Sequence, residues 1–242
     1  MRKIEIYSIN YNHVGLQKAP FGGISKEFVC GLHDRIGDGI PDLTTYADMR
    51  APYWIWKNRD DLGIIGFHGY RKFLDLRRPL LYEKPEWHDT PLKEFREYQT
   101  WLSQYDGQSI QELLAQYDMI VAPPFDCSYN IDMGVDFQRS RSPMDWEVFE
   151  DVMKEAGVFH PQTPFIRPMH FVTRAPVFRR YMDWWWPHAE AMRPCIMSLD
   201  AHDAAYIARP MAYISERMFS LWLDASKLSV VEVPLLRCWD AK

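Results

Sequence analysis

Hydrophobic and polar positions along the chain follow two periods, and each period predicts a type of element. Single-residue alternation over Lys3–Ile9 is typical of a strand. An uninterrupted apolar run over Leu62–Phe67 predicts a buried strand. Short apolar segments bounded by turn residues predict further strands at Tyr117–Ala122, Met169–Val172 and Val230–Leu236.

Between these strands, apolar residues recur every three or four positions, which predicts helices. The helical segments are Ala47–Asn58, Leu92–Tyr105, Ile110–Gln116, Ser142–Ala156, a segment from Thr173 that is interrupted or kinked at Pro187, and Ile214–Ala225. Residues 14–45 are dense in Gly and Pro and residues 125–141 are polar, so both are predicted to be irregular. Because strands and helices alternate without a linker or repeat, we expect one α/β domain over residues 1–242, with helices flanking a mostly parallel central sheet.

Composition narrows the class of protein. The 242 residues are 47% hydrophobic, enough to bury a large core. A net charge of -5 argues against a nucleic-acid-binding protein, which normally presents a basic surface. The sequence shows neither a signal peptide nor an apolar run long enough to span a membrane, so we expect a soluble, cytoplasmic protein. The four cysteines are scattered without paired spacing, which indicates reduced thiols and not a zinc site or disulfides.

The segment Ala51–Phe73 carries the strongest functional signal. Its order is helix, turn and buried strand, followed at once by a cluster of polar and cationic residues. In open α/β sheets, ligands bind outside the carboxyl ends of the strands. Two fixed positive charges, Arg71 and Lys72, therefore predict an anionic ligand at the end of this strand.

Four segments, in this order along the chain, carry a family resemblance. They read YWIWKN at Tyr53–Asn58, GYRKF at Gly69–Phe73, YDMIVAPP at Tyr117–Pro124 and YISERMFSLWL at Tyr213–Leu223. Together they resemble the DUF4422 family, which occurs among bacterial glycosyltransferases of capsule, exopolysaccharide and O-antigen assembly, some assigned as galactofuranosyltransferases. The resemblance implies a GT-A-like domain and transfer of a hexosyl, such as galactofuranosyl, residue from a UDP-sugar-type donor. The acceptor would be a glycan or a lipid-linked glycan.

Within this resemblance, the loop after the buried strand is a donor-binding candidate. Tyr70, Arg71 and Lys72 match the family's tyrosine and two basic residues, and we expect the two cations to contact the donor diphosphate. The alternatives are a structural pair between Arg71 and Asp75, or a solvated charge at Arg71. The family's histidine aligns with Gly69, so the role of the neighbouring His68, also a donor-binding candidate, does not follow from the match.

Three carboxylates are candidates for the base that deprotonates the acceptor hydroxyl. Asp126 and Asp136 lie in the polar segment after a predicted strand, where the alternative is a solvated surface position. Glu216 lies in the family's SER segment with the donor-binding candidates Ser215 and Arg217. The alternatives for Glu216 are orientation of the donor hydroxyls and a structural pair with an arginine.

The remaining binding candidates concern the nucleotide and a metal. Asn10, Tyr11 and His13 follow the first strand, where this architecture would place the nucleotide base and ribose. A second cluster has the ligand types that suit Mn²⁺ or Mg²⁺, namely Asp200, His202 and Asp203. A divalent cation and a metal-independent reaction both stay open.

Two wider alternatives also stay open. A lipid-linked acceptor would bring the protein to the inner-membrane surface as a peripheral protein, through Arg77, Arg78, Leu80 and Leu81. Alternatively, the chain is a non-catalytic carbohydrate- or nucleotide-binding module that uses the same basic loop and aromatic residues.

Overall fold

The computed structural model describes residues 3–11, 22–40, 46–69, 71–77, 86–124, 146–159, 169–197 and 210–239. Its strands are β1 (Lys3–Tyr11), β2 (Ser25–Cys30), β3 (Leu62–Gly69), β4 (Lys72–Leu74), β5 (Trp87–Asp89), β6 (Met119–Val121), β7 (Phe171–Arg174), β8 (Val230–Glu232) and β9 (Leu235–Arg237). Its helices are α1 (Arg50–Asn58), α2 (Leu92–Gln104), α3 (Gln108–Gln116), α4 (Trp146–Glu155), α5 (Ala175–Met197) and α6 (Pro210–Ser226). Short 3-10 turns occupy His33–Arg35 and Ala47–Met49.

The described strands form one mixed sheet. Its main body has the order β2-β1-β3-β7-β6-β8, and β4, β9 and β5 extend it from the end of β3. The expectation of a mostly parallel sheet was wrong, because half of the described strand pairs are antiparallel: β3 with β4, β3 with β7, β4 with β9, and β6 with β7. One reason is local, since only a short turn separates β3 from β4, and a turn of that length can join only antiparallel strands.

The sheet is covered on both faces. Tyr7, Ile65 and Phe67 belong to a core cluster with residues of α1, α4, α5 and α6, whereas Ile6 and Ile64 belong to a second cluster with residues of α2 and α3. Burial on both faces explains why β3 reads as an unbroken apolar run. The strand ends lie at the edges between these layers.

Helix α5 continues through Pro187 to Met197. Of the two expected effects of this proline, an interruption or a kink, the interruption is wrong, because the helix does not end there. Proline removes one backbone hydrogen bond and crowds the preceding turn. Trp185, Ala189 and Met192, on either side of it, are fully buried, and their packing outweighs that cost.

Candidate functional site

Several chain segments converge at one edge of the sheet. β1 and β3 run parallel, and Ile9 lies opposite Gly69 at their carboxyl ends. β7 runs antiparallel to β3, so its beginning lies at the same edge. The carboxyl end of β6 also reaches this edge, where the Ala122 amide donates to the His170 carbonyl at 3.2 Å. This is the edge at which α/β sheets bind ligands.

A small cavity of about 40 Å³ opens at this edge. Its polar residues are Asp48 from the turn before α1, His68 from β3, His170 before β7, and Glu216 from α6. Apolar side chains form most of the rest of the wall. They include Ile9, Met49, Pro52 and Met169. We call this the edge cavity. It brings two sequence candidates together, His68 and Glu216.

The two imidazoles of the edge cavity are buried and have no hydrogen-bond partner among the residues that the structure describes. His68 is 0% exposed and His170 is 8% exposed, and both ring nitrogens of each lack a partner within the described part of the chain. Burial lowers the pKa of His68 from 6.5 to about 3. Burial also lowers the pKa of His170, as do the nearby Lys72 and His68 to a lesser degree. Both imidazoles are therefore neutral near pH 7.

These imidazoles predict a loss of stability in mild acid. Because the folded pKa of His68 is about 3 and its ordinary value is 6.5, the unfolded chain binds more protons between these values. Stability should fall as the pH drops below about 6.5, by up to about 1.4 kcal/mol per pH unit for one histidine. Urea unfolding at about pH 7 and about pH 5.5 measures this, in a range where few carboxylates titrate. The variant His68→Phe should show a shallower slope, and an unchanged slope would contradict the assignment.

The cationic residues lie beside the edge cavity. Arg71 is in the turn after β3, partly exposed, and its carbonyl accepts from the Cys238 amide at 3.0 Å. Lys72 opens β4 opposite Gly69, and its Nζ lies 5.3 Å from the centre of the Trp87 ring. The Trp87 indole in turn donates to the carbonyl of Pro123, just beyond β6, at 3.1 Å. Both cations are thus anchored by their backbone at the carboxyl edge.

The alternative of an ion pair between Arg71 and Asp75 is not seen among the described contacts of Asp75. Its carboxylate binds Arg77 through two hydrogen bonds, of 2.9 and 2.7 Å. Arg77 also lies over the ring of Tyr98, at 5.1 Å from its centre. Arg77 is therefore anchored to the fold. The other proposed membrane-contact residues, Arg78, Leu80 and Leu81, lie outside the described residues.

The other described candidates occupy structural positions near the same edge. Asn10 is the last residue but one of β1, is 5% exposed, and donates through its side chain to Glu27 at 2.9 Å. Ser215 is fully buried, and its hydroxyl accepts from Trp185 at 3.0 Å. Arg217 is 4% exposed and donates to the Tyr213 carbonyl at 2.9 Å. None of these three lines the edge cavity as described.

Several candidates cannot be placed. Tyr11 is described only as backbone at the end of β1. Outside the described residues lie His13, Tyr70, Asp126, Asp136, Asp200, His202 and Asp203. Among the residues that can be placed, no group of three His, Cys, Asp or Glu side chains is arranged to hold a metal ion.

Sequence reasoning missed two residues of the edge cavity, Asp48 and His170. His170 is a polar residue within the apolar segment Met169–Val172 that was predicted as a strand, and this was the available signal. Asp48 lies in a 3-10 turn at the start of a predicted helix, where an acidic residue is ordinary. Only its packing beside the ends of β1 and β3 distinguishes it.

A larger groove, of about 510 Å³, lies along the edge strand β2 and includes Trp54, Phe28 and the start of β1. Its charged residues are already satisfied. Arg59 contacts the Glu5 carboxylate at 3.1 Å and donates to the Tyr7 hydroxyl at 2.8 Å. We place the site at the smaller edge cavity because the strand ends and the unpartnered imidazoles meet there. We call the larger one the β2 groove.

Comparison with known proteins agrees with this architecture. A solved structure described as the apo form of the bifunctional glycosyltransferase WbbM superposes with a TM-score of 0.76 at 17% sequence identity. The match covers 98% of this chain and 46% of that one, so the chain spans less than half the length of WbbM. At this identity the likeness establishes the fold. None of the described helices is long and apolar enough to cross a membrane.

The family assignment comes from the sequence itself. No curated protein matches the chain. The model of the domain of unknown function DUF4422 matches residues 13–227, which include every edge-cavity residue except Ile9. They also include Arg71 and Lys72, which we call the cationic turn. The resemblance seen in the four sequence segments is thereby confirmed, and the chain belongs to the DUF4422 family.

Proposed function

We propose that the protein is a nucleotide-sugar-dependent glycosyltransferase. It transfers a hexosyl residue, with galactofuranosyl as one candidate, from a UDP-sugar-type donor to a glycan or lipid-linked glycan in surface polysaccharide synthesis. The observation that carries the proposal is the position of the cationic residues Arg71 and Lys72 next to a cavity that contains Glu216. The family membership and the WbbM-like fold support the same function.

In the proposed reaction, the acceptor oxygen bonds to the anomeric carbon while the bond from that carbon to the diphosphate oxygen breaks. The departing diphosphate gains negative charge, which Arg71 and Lys72 stabilise. The acceptor hydroxyl loses its proton to a carboxylate. Glu216 is one candidate base, and Asp126 and Asp136 are the others.

Further donor contacts come from the segments around this edge. Asn10, Tyr11 and His13 would hold the nucleotide base and ribose. Donor hydroxyls and phosphates would also contact His68, Tyr70, Ser215 and Arg217. Because a lipid-linked acceptor resides in a membrane, the enzyme would then act at the cytoplasmic surface of the inner membrane.

Turnover tests the proposal directly. The purified protein is incubated with UDP-glucose, UDP-galactose or UDP-galactofuranose and a glycan acceptor, and both UDP release and glycan product are measured. Acceptor-dependent UDP release is the expected result. If these donors bind without turnover across a panel of acceptors, the protein is instead a non-catalytic binding module.

The charge on the departing diphosphate could also be stabilised by a divalent cation held by Asp200, His202 and Asp203. Such a cation would act as a Lewis acid on the diphosphate oxygens. The assay is therefore repeated after treatment with EDTA, with and without added Mn²⁺ or Mg²⁺. Activity that survives chelation assigns the charge stabilisation to Arg71 and Lys72, and activity that returns only with the cation assigns it to the metal.

A further inference from the structure

The edge cavity contains hydrogen-bonding capacity that the described protein does not use. Both ring nitrogens of His68 and of His170 lack a partner within the described residues, although the two side chains are buried. Buried polar groups in folded proteins are nearly always paired. Since both imidazoles line the edge cavity, a ligand group in that cavity is the natural partner for them.

The lining selects the chemistry of that group. A neutral imidazole offers one donor and one acceptor, which complements a hydroxyl because a hydroxyl also donates and accepts. Asp48 and Glu216 line the same cavity, and carboxylates accept hydrogen bonds from hydroxyls but repel phosphate. The diphosphate is therefore expected outside the cavity, beside Arg71 and Lys72. A neutral hydroxyl-bearing group is expected inside it.

The size of the cavity limits the group further. A volume of about 40 Å³ holds one small substituent, not a whole sugar ring. Gly69 keeps this space open, because a Cβ at that position would lie 3.1 Å from Nε2 of His170. Apolar neighbours such as Met169 and Met49 suit the carbon atom of a hydroxymethyl group.

We propose that the edge cavity is a specificity pocket for one hydroxyl or hydroxymethyl group of the transferred sugar, and that His170 is the residue that reads this group. The inference rests on the proposed glycosyltransferase function and deepens it. It assigns a role to a residue that neither the cationic turn nor the candidate bases include. Discrimination between donor sugars should depend on His170, whereas binding of the nucleotide should not.

Donor discrimination is the measurement. UDP-galactose and UDP-glucose differ in the orientation of one hydroxyl, so kcat/KM is measured for both with wild type and His170→Ala. The variant should lose roughly 10- to 100-fold for the preferred donor and much less for the other, which collapses the ratio. The Kd for UDP alone should stay within about 2-fold, because UDP lacks the sugar. An unchanged ratio, or an equal loss for both donors and UDP, would overturn the proposal.

Two more variants separate recognition from folding. His170→Gln keeps one donor and one acceptor and should restore part of the ratio, whereas Gly69→Ala narrows the pocket and should lower kcat/KM for the preferred donor. Ser8→Ala is the matched control. Ser8 lies opposite His68 in the β1–β3 register, and its buried hydroxyl also lacks a partner in the described parts of the chain. It is not part of the cavity lining as described. Discrimination should be unchanged in this variant.

Binding measurements with UDP-hexoses and UDP test the pocket proposal independently of catalysis. If the wild type transfers no sugar but binds a UDP-hexose more tightly than UDP, and His170→Ala loses this advantage, the pocket stands and the transferase proposal fails. If the wild type transfers sugar while His170→Ala keeps full discrimination, the pocket proposal alone fails. If neither UDP-hexose binds better than UDP and no turnover occurs, both fail.

Discussion

Replacement of Arg71 by alanine should lower kcat/KM for the nucleotide-sugar donor by about 100-fold. Arg71 lies in the turn that follows β3, at the sheet edge where the edge cavity opens. A guanidinium can hold two phosphate oxygens at once, and this contact strengthens as the leaving diphosphate gains charge. Steady-state kinetics with the donor that the wild type prefers measures the effect. Arg71→Lys should recover only part of the loss, because lysine lacks the planar fork.

Arg180 provides the matched control for Arg71. It is an exposed arginine near the start of α5, at the opposite edge of the sheet, with its guanidinium 5.7 Å from the centre of the Trp222 ring. Arg180→Ala removes the same charge from the protein without touching the candidate site. Its kinetics should match those of the wild type. If Arg71→Ala also shows wild-type kinetics, the assignment of Arg71 to the donor diphosphate is wrong.

Glu216→Gln should lower kcat by roughly 100- to 10,000-fold if Glu216 is the general base. The amide keeps the size of the side chain but cannot accept the proton of the acceptor hydroxyl. Glu216 is half-buried in α6 and lines the edge cavity, so it can reach a group bound there. Pre-steady-state and steady-state rates with saturating donor measure the effect, and Asp126→Asn and Asp136→Asn are assayed in parallel.

The alternatives for Glu216 give different results. If Glu216 only orients donor hydroxyls, Glu216→Gln should raise KM more than it lowers kcat. If Glu216 only pairs with an arginine, Glu216→Gln should lower the free energy of unfolding, measured in urea, and leave the kinetics of the folded fraction unchanged. Glu94→Gln, on the exposed face of α2, is the control for loss of one carboxylate. If one of the aspartate variants shows the large loss in kcat and Glu216→Gln does not, the base is that aspartate.

The elements that form the edge were predictable where burial imposes a clear period. β1 and β3 appear at nearly the predicted bounds. The continuous apolar run of β3 reflects burial on both faces, whereas the alternation in β1 predicted a strand although its polar residues Glu5 and Ser8 are buried too. The rule that ligands bind at strand ends then pointed to Arg71 and Lys72. Pro234 separates β8 from β9 as its missing amide requires.

Other features depend on contacts that a local pattern does not contain. β2 lies within the segment 14–45 predicted to be irregular, because its six residues gain their strand conformation from pairing with β1. The direction of β7 relative to β3 is not encoded in periodicity. The edge cavity likewise forms from residues distant in sequence, such as Asp48 and Glu216, so its composition emerges only after folding.

A structure with a bound UDP-hexose tests the central claim most directly. The diphosphate should lie within hydrogen-bond distance of the Arg71 guanidinium, at the carboxyl end of β3. A hydroxyl or hydroxymethyl group of the sugar should enter the edge cavity beside His170 and Glu216. A nucleotide-sugar bound in the β2 groove, with the turn at Arg71 and the edge cavity making no contact to it, would contradict the account.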